Sequence, residues 1–325
     1  MQPLNLLFRV GSAAPWSASR KNVKAANVLF LRIRGLRRRD TLALWVNALF
    51  WLPRRTYYLW RYRDKQKAWW ALLQKPHRHW LVWPFRLEGR FYRWPGVRFW
   101  ADAQSLVWFV SRQYQDLRTE WVQARLRSGR IGLDIGAHHG FWTLYHADKF
   151  PLQAKVILVE PHPANFAYLV QNLALNKAFY AVPLPLAMWK EPTSLAIEMP
   201  AGLPSFHASY SAAIRQGVSE RASSCKVPAT TIDALVSCLG LETVDWIKID
   251  AEGAEVAILE GARQTLTRFA PSIWMEVHNT WAPVLALLDQ LGYAVRDQVR
   301  LEGPDAPYPS YGYLWAEKKG APSVS

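Results

Sequence analysis

The sequence predicts an α/β protein built on a doubly wound, mostly parallel β-sheet. Two observations carry this prediction. In residues 130–140, RIGLDIGAHHG, an apolar run on alternate positions ends at a glycine turn that leads into a helical segment. This pattern is typical of a buried strand that opens at the ligand-binding edge of such a sheet. Downstream, strand-like segments alternate with helical ones, which is typical of crossover connections between parallel strands.

The elements follow in order along the chain. Aromatic and aliphatic residues recur at helical spacing over residues 105–128, which predicts a helix, and the polar residues 190–228 predict an irregular lid or binding loop. Strands are predicted at residues 131–135, 155–160, 179–187, 244–250, 272–278, 293–299 and 311–317. Further helices are predicted at residues 141–150, 163–176, 230–235, 253–269 and 281–292.

The glycine turn indicates what kind of ligand binds there. Its glycines, Gly132, Gly136 and Gly140, do not have the GxGxxG spacing of a dinucleotide site. Asp134 stands just before the turn, where its charge would repel a pyrophosphate. A carboxylate there suits a ligand that carries positive charge, such as the amino and sulfonium groups of S-adenosylmethionine. The pattern alone leaves a second interpretation open, in which the glycines only form a tight turn.

Ionisable side chains also follow three other predicted strands. Glu160 ends the second strand, 20 residues after Gly140, where nucleotide-binding α/β folds place an acid that binds ribose hydroxyls. Asp250 and Glu252 follow a later strand, while the next strand carries Glu276 and His278 two positions apart and therefore on one face. If those two strands are neighbours, the four groups converge as an acid–base or metal site.

Charge divides the chain into two parts. Residues 1–100 contain 21 Lys and Arg residues and three acidic residues, whereas residues 101–325 contain 19 Lys and Arg residues and 22 acidic residues. Ten of the 18 tryptophans lie in the first part.

The only cysteines of the sequence, Cys225 and Cys238, form neither a disulfide framework nor a CxxC site. Reduced thiols of this kind predict a cytoplasmic protein.

The basic N-terminal part is predicted to contain a mobile tail, an apolar helix and hairpins. The tail is residues 1–39, and the helix, residues 41–52, is too short to span a bilayer. With five flanking arginines it forms a basic apolar segment, residues 37–55, which either packs in a core or lies on an anionic membrane surface. Residues 79–102 predict hairpins, broken at Glu88-Gly89 and at Pro95-Gly96.

Several of these motifs together resemble a known family. Five segments occur in this order along the chain: DIGAHHGFWTL, VEPHPANFAYLVQNLALN, TTIDAL, IKIDAEGAEVAILEGA and a strand ending in MEVH. The combination is similar to the FkbM family of S-adenosylmethionine-dependent methyltransferases over residues 130–298. The resemblance implies a seven-stranded, Rossmann-like class I methyltransferase sheet with one antiparallel strand. It places the methyltransferase domain at residues 101–319, after the N-terminal extension 1–100 and before a tail, 320–325.

The resemblance, together with the residues at the strand ends, assigns residues to the site. The residues predicted to bind S-adenosylmethionine are Asp134, Gly136, Ala137, His138, Gly140, Glu160 and Asn165. The residues predicted at the reacting edge are Asp250, Glu252, Glu276 and His278. Of these, Glu252, Asp250 and His278 are candidates for the base that removes the acceptor's proton. A metal held by Asp250, Glu276 and His278 is ranked second, so the predicted site contains none.

The implied activity is O-methylation of a hydroxyl on a sugar, glycolipid, polysaccharide or related metabolite. Two other classes stay open. A nucleic-acid methyltransferase would use the basic N-terminal part to hold phosphates, but the Asn/Asp-Pro-Pro-Tyr/Phe motif for exocyclic amines is absent from the sequence, so a nucleic-acid partner is not expected. The other is a non-catalytic binding module tethered to a membrane.

The sequence departs from the family pattern at two positions. His138 stands where a small polar residue, usually Asn, is expected, and His139 replaces an apolar residue.

Overall fold

The computed structural model describes residues 31–35, 85–91, 97–101, 120–199, 223–302 and 310–321. The chain divides into two units, Met1–Ser111 and Arg112–Ser325. Within the described ranges, no helix combines the length and apolar character needed to cross a membrane. The apolar helix predicted over residues 41–52 and the Pro95-Gly96 turn lie outside these ranges.

The first unit contains a three-stranded antiparallel sheet. Its strands are β1 (Leu31–Gly35), β2 (Phe85–Phe91) and β3 (Val97–Ala101), in the order β1-β2-β3. The pairing of β2 with β3 confirms the predicted hairpin strands. Two predictions were wrong. Glu88-Gly89 lies inside β2, because β1 and β3 pair with it on both sides, and residues 31–35 form a strand rather than a tail, with apolar and basic residues alternating at the strand period.

The second unit contains the methyltransferase-like alternation of elements. Its strands are β4 (Ile131–Ile135), β5 (Lys155–Val159), β6 (Ala181–Leu184), β7 (Ala187–Met188), β8 (Thr193–Met199), β9 (Ser223–Thr230), β10 (Trp246–Ile249), β11 (Ser272–His278), β12 (Tyr293–Glu302) and β13 (Ser310–Lys318). Its helices are α1 (Glu120–Ser128), α2 (Phe141–Tyr145), α3 (Pro163–Leu175), α4 (Ile232–Cys238), α5 (Glu255–Glu260), α6 (Arg263–Phe269) and α7 (Trp281–Gln290), with a 3-10 turn at Ala147–Lys149.

Seven of these strands form the main sheet, in the order β12-β13-β11-β10-β4-β5-β6. All pairs are parallel except those of β13, which runs antiparallel between β11 and β12. This arrangement confirms the predicted seven-stranded sheet with one antiparallel strand. It also confirms that β10 and β11, which carry the predicted reacting residues, are neighbours.

The two faces of this sheet have different compositions. One face carries aliphatic side chains from β4, β5, β10, β11 and β13, and these pack in one buried core with side chains from α4 to α7. Because strand residues alternate between faces, the residues between them lie on the opposite face. There, buried Trp246 lies towards the amino end of the sheet, and Asp134, Lys248 and Trp274 lie in register with one another nearer its carboxyl end. The charged groups are thus concentrated at the ligand-binding edge.

Three other predicted elements are corrected. The predicted loop 190–228 contains the antiparallel strands β8 and β9, whose alternate apolar residues are buried, and its residues 200–222 lie outside the described ranges. The predicted helix 253–269 is two helices, α5 and α6, which are separated at Gly261 and Ala262, and the carboxylate of Asp233 caps the start of α6 by accepting hydrogen bonds from the backbone N–H groups of Gln264 and Thr265. Of the predicted helix 105–128, the structure describes only α1.

Candidate active site

The glycine turn after β4 lies directly against the end of β10. Gly136 has φ of 75°, a left-handed conformation that glycine adopts without strain, and any Cβ at this position would collide with the carbonyl oxygen of Asp250. The backbone N–H groups of Gly136 and Ala137 both donate to the carbonyl oxygen of Val159, at 2.9 and 3.0 Å. The turn is therefore fastened to β5 on one side and packed against β10 on the other.

Asp134 lies beneath this turn and not in an open cleft. Its carboxylate is fully buried, 3.0 Å from the ammonium of Lys248, and it accepts a hydrogen bond of 2.6 Å from the Thr143 hydroxyl. Lys248 also donates to the carbonyl oxygen of Gly136 at 2.8 Å and lies 3.9 Å from Asp250. The sequence predicted a positively charged ligand beside Asp134; in the structure the positive group that contacts Asp134 is the ammonium of Lys248, and this pair supports the turn from below.

The electrostatics of Lys248 agree with this role. Burial by itself lowers the pKa of its ammonium, but the carboxylates of Asp134 and Asp250 outweigh burial and raise the pKa above its ordinary value. Lys248 is therefore charged at neutral pH and links the turn to the acidic motif. The pattern that could have revealed it is a single basic residue inside the buried strand β10, in register with Asp134 on β4.

Glu160 closes the cofactor side of the site at the end of β5. Its carboxylate accepts hydrogen bonds from the backbone N–H groups of His138 and His162, at 2.8 and 2.9 Å, and from the Asn165 amide at 3.3 Å. Burial raises the pKa of Glu160 to about 7, although these donors act in the opposite direction. Two predicted residues, His138 and Asn165, thus hold Glu160 in place.

The reacting residues surround one imidazole. The Nδ1 atom of His278 lies 3.0 Å from Glu255, and its Nε2 atom lies 3.5 Å from Glu252 and 3.4 Å from Glu276. Glu252 has φ of 50°, a left-handed conformation that is uncommon for residues other than glycine, and such strained positions cluster at functional sites. Asp250, Glu252 and His278 each offer one ligand atom, and these atoms lie within 4.8 Å of one another.

Residues 134–295 match the family model of the methyltransferase FkbM domain. The chain belongs to the FkbM methyltransferase family. Two curated proteins are similar to it. Methyltransferase sdnD of Sordaria araneosa is 28% identical over 231 residues, which are 61% of this chain and 86% of that protein. Methyltransferase 1 of Beauveria bassiana strain ARSEF 2860 is 26% identical over 190 residues, 53% of this chain and 74% of that protein.

Among solved structures, the methyltransferase FkbM of Methylobacillus flagellatus KT aligns with a TM-score of 0.40. Its sequence is 16% identical, and the alignment covers 66% of this chain and 55% of that one.

As a member of the FkbM family, the present chain is an S-adenosylmethionine-dependent methyltransferase, and the residues of its site fit that cofactor. Glu160 supplies two carboxylate oxygens, which are the acceptors that adjacent ribose hydroxyls need. The acidic groups at the ends of β10 and β11 favour a cationic sulfonium nearby. Gly136 and Ala137 form the turn between these two regions, and Gly140, with φ of 79°, precedes α2.

His138 and His139, which replace the expected residues of the family pattern, have separate roles. His138 has φ of 52°, a conformation in which Asn and His are both enriched, so it can stand where Asn is expected. The ring of His139 stacks on that of His138 at 4.0 Å and packs on Tyr168 at 4.5 Å. Burial lowers the pKa of His139 to about 3, so its imidazole is neutral and belongs to the core.

Glu255 is a functional residue that the predicted set lacks, although it lies in the same IKIDAEGAE block. It is 0% exposed, accepts a hydrogen bond of 2.7 Å from the Thr280 hydroxyl, and accepts another of 2.9 Å from the Gly253 backbone. Burial by itself lowers the pKa of His278, but Glu252, Glu255 and Glu276 outweigh burial and raise it well above its usual value. A charged imidazole does not accept a proton, so the raised pKa of His278 favours the carboxylates of Asp250 and Glu252 among the three candidate bases.

Proposed function

We propose that this FkbM methyltransferase transfers a methyl group to a hydroxyl of a sugar, glycolipid, polysaccharide or related small metabolite. One observation supports hydroxyl chemistry most directly. The Glu252 carboxylate, with 25% of its side chain exposed, is held at the sheet edge by a strained backbone and by His278, 3.5 Å away. A partly exposed, positioned carboxylate beside the cofactor turn is the group that a weakly nucleophilic alcohol requires.

When bound, S-adenosylmethionine supplies a methyl group activated by its sulfonium charge. The protein must therefore mainly align the acceptor and accept its proton. Glu160 binds the ribose, and the Asp134–Lys248 pair holds the turn in place through the carbonyl oxygen of Gly136. These contacts fix the position of the reacting carbon without taking part in bond making.

Glu252 acts as the base in this proposal. As the acceptor oxygen forms its bond to carbon, its proton passes to the Glu252 carboxylate, and the electron pair of the broken carbon–sulfur bond returns to sulfur. Proton transfer to a positioned carboxylate contributes about 10²–10⁴ in rate. His278 orients Glu252 from 3.5 Å, and Glu255 orients His278 from 3.0 Å.

A conservative substitution tests this assignment. Glu252→Gln should lower the turnover number by about 10²–10⁴, while S-adenosylmethionine affinity stays within a few-fold, because a base acts in the transition state. Glu242→Gln is the matched control, since Glu242 is an exposed glutamate before the amino end of β10. Turnover that is equal in both variants would reject Glu252 as the base.

The acceptor class needs a separate experiment. Incubation with S-adenosylmethionine deuterated on its methyl group, together with extracts of lipids, glycans and small metabolites, should yield products that carry the labelled methyl on oxygen. Mass spectrometry with fragmentation locates the label. Label found only on nitrogen or on nucleic acid would overturn the proposed acceptor class while leaving methyl transfer intact.

We also propose a cytoplasmic location with contact to membranes through the basic apolar segment, residues 37–55. The support is compositional: an almost uniformly apolar stretch lies between five arginines. Such a segment gains free energy from burial of its apolar side and about 1 kcal/mol for each basic residue near anionic lipid. This location would bring a membrane-bound acceptor, such as a glycolipid, close to the protein.

A further inference from the structure

We propose that Asp250, Glu252 and His278 bind one divalent metal ion at the carboxyl edge of β10 and β11. The three side chains come from two neighbouring parallel strands and the turn that follows one of them. Each presents one ligand atom, and the three atoms lie within 4.8 Å of one another. They are the metal-ligand group found among the described residues.

The spacing of two of these atoms is close to that of ligands around a shared ion. Two ligand atoms that are each about 2.1 Å from an ion lie about 3.0 Å apart at a right angle and about 3.4 Å apart at a tetrahedral angle. Glu252 Oε2 and His278 Nε2 are 3.5 Å apart. An ion shared by these two side chains would need only small adjustments, and Asp250, whose ligand atom lies within 4.8 Å of the other two, would complete the set by moving towards it.

The histidine is also oriented as a metal ligand. Its Nδ1 atom contacts Glu255 at 3.0 Å, and Glu255 is itself held by Thr280 and by the backbone of Gly253. Metal-binding histidines almost always use the second ring nitrogen in this way, because the carboxylate fixes the ring and its tautomer. Nε2 points at the carboxylates of Glu252 and Glu276, and an ion bound there would replace the Nε2 proton, so His278 would ligate as a neutral imidazole.

The charge around this point favours a cation. Four carboxylates meet at the sheet edge, and the one lysine among the described residues there, Lys248, already pairs with Asp134 at 3.0 Å. Mixed imidazole and carboxylate ligands favour a first-row transition metal such as Mn²⁺ or Fe²⁺ over Ca²⁺, which prefers oxygen ligands alone.

The site deepens the proposed function, and its catalytic role rests on that function, although its existence does not. An ion held by Glu252 through Oε2 would leave Oε1 free to take a proton. An acceptor hydroxyl drawn to the same ion would have a lower pKa, as metal-bound oxygen groups do. Its O–H bond breaks towards Glu252 while its oxygen forms the bond to the methyl carbon.

Binding of Mn²⁺ to the chelator-treated full-length protein tests the site without an acceptor. Loss of the free Mn²⁺ signal in electron paramagnetic resonance titrations should show one ion bound per chain. Asp250→Asn and Glu252→Gln should each weaken binding at least tenfold, and Glu255→Gln should do so through His278. The matched control, Asp289→Asn, changes an exposed carboxylate that pairs with Lys319 and should bind as the parent does.

Melting temperatures of all variants separate lost ligands from lost folding. Parent protein that fails to bind Mn²⁺ at millimolar concentration overturns the proposal, as does binding that is equally strong in Asp250→Asn and Glu252→Gln. If a parent protein that does not bind Mn²⁺ still transfers methyl groups in the presence of chelator, the metal proposal fails and the proposed function is retained. Conversely, Mn²⁺ binding with no methyl transfer to any hydroxyl would retain the metal site and refute the proposed function.

Discussion

We predict that Glu160 makes cofactor binding depend on pH in a way that can be measured. Its carboxylate is buried at the end of β5, and burial raises its pKa to about 7 despite two backbone hydrogen bonds. Near neutral pH, the folded protein without ligand is therefore a mixture of protonated and ionised Glu160. Only the ionised form can accept hydrogen bonds from both ribose hydroxyls.

The stability of the protein without ligand follows from the same shift. In the unfolded chain the Glu160 pKa is 4.5, and in the folded protein it is about 7. Because the folded value is raised, the contribution of Glu160 to stability is complete below pH 4.5 and is lost as pH rises through about 7. Glu160→Gln removes this titration, so its free energy of unfolding relative to the parent should rise by about 3 kcal/mol across that window.

Cofactor affinity should change in the opposite direction. If the ligand binds only ionised Glu160, affinity should rise about tenfold between about pH 6 and pH 8. Binding should release about 0.9 proton per ligand at about pH 6 and about 0.1 at about pH 8. Calorimetry in buffers with different ionisation enthalpies measures this release. 5′-Methylthioadenosine is the better probe, since it keeps the ribose but lacks the amino group that titrates in S-adenosylmethionine.

Two comparisons make this prediction specific. Glu160→Gln should bind the probe weakly and with no pH dependence between about pH 6 and pH 8. The neighbouring imidazoles of His139 and His162 have pKa values lowered by burial, so both are neutral over most of this range. Parent affinity that changes less than twofold, with no proton release, would refute the role given to Glu160.

Two further predictions test other parts of the chain. Lys248→Met should lower the free energy of unfolding in urea by about 3–5 kcal/mol, because it leaves Asp134 buried without its partner. Adding Asp134→Leu should recover most of the loss, and a single-variant loss below about 1 kcal/mol would contradict the pairing. For the basic apolar segment, co-sedimentation with anionic vesicles should weaken with salt, and more when Trp45 and Phe50 become serine than when residues 37–39 are neutralised. If the parent protein does not bind anionic vesicles but binds RNA at physiological salt, the proposed membrane contact is wrong.

The sheet was predictable because its signals are local. An apolar run that ends at a glycine turn marks β4, and similar apolar runs mark β5, β10 and β11. Alternation with helices then implies parallel strands. The break between α5 and α6 was not predictable, because the start of α6 is capped by the carboxylate of Asp233, which comes from a distant part of the chain.

The sequence predicted where the side chains of the candidate site lie better than it predicted which charged groups pair with one another. Strand ends placed Asp134, Glu160, Asp250 and His278 at one edge, and the structure agrees. Which charges pair depends on strand order and register, which one sequence does not state. Lys248 faces Asp134 only because β10 lies next to β4.

The same adjacency explains why the two motifs of the site act together. Lys248 contacts Asp134 and the carbonyl oxygen of Gly136, and it lies 3.9 Å from Asp250. Since Gly136 also packs against the backbone of Asp250, the cofactor turn cannot move without disturbing the end of β10. A displacement of the turn would therefore reach Glu252, two residues further along, in the strained loop that carries the proposed base. The positions of the cofactor turn and of the proposed base are thus linked by the contacts of Lys248 as well as by this backbone packing, and the Lys248→Met variant removes the Lys248 contacts.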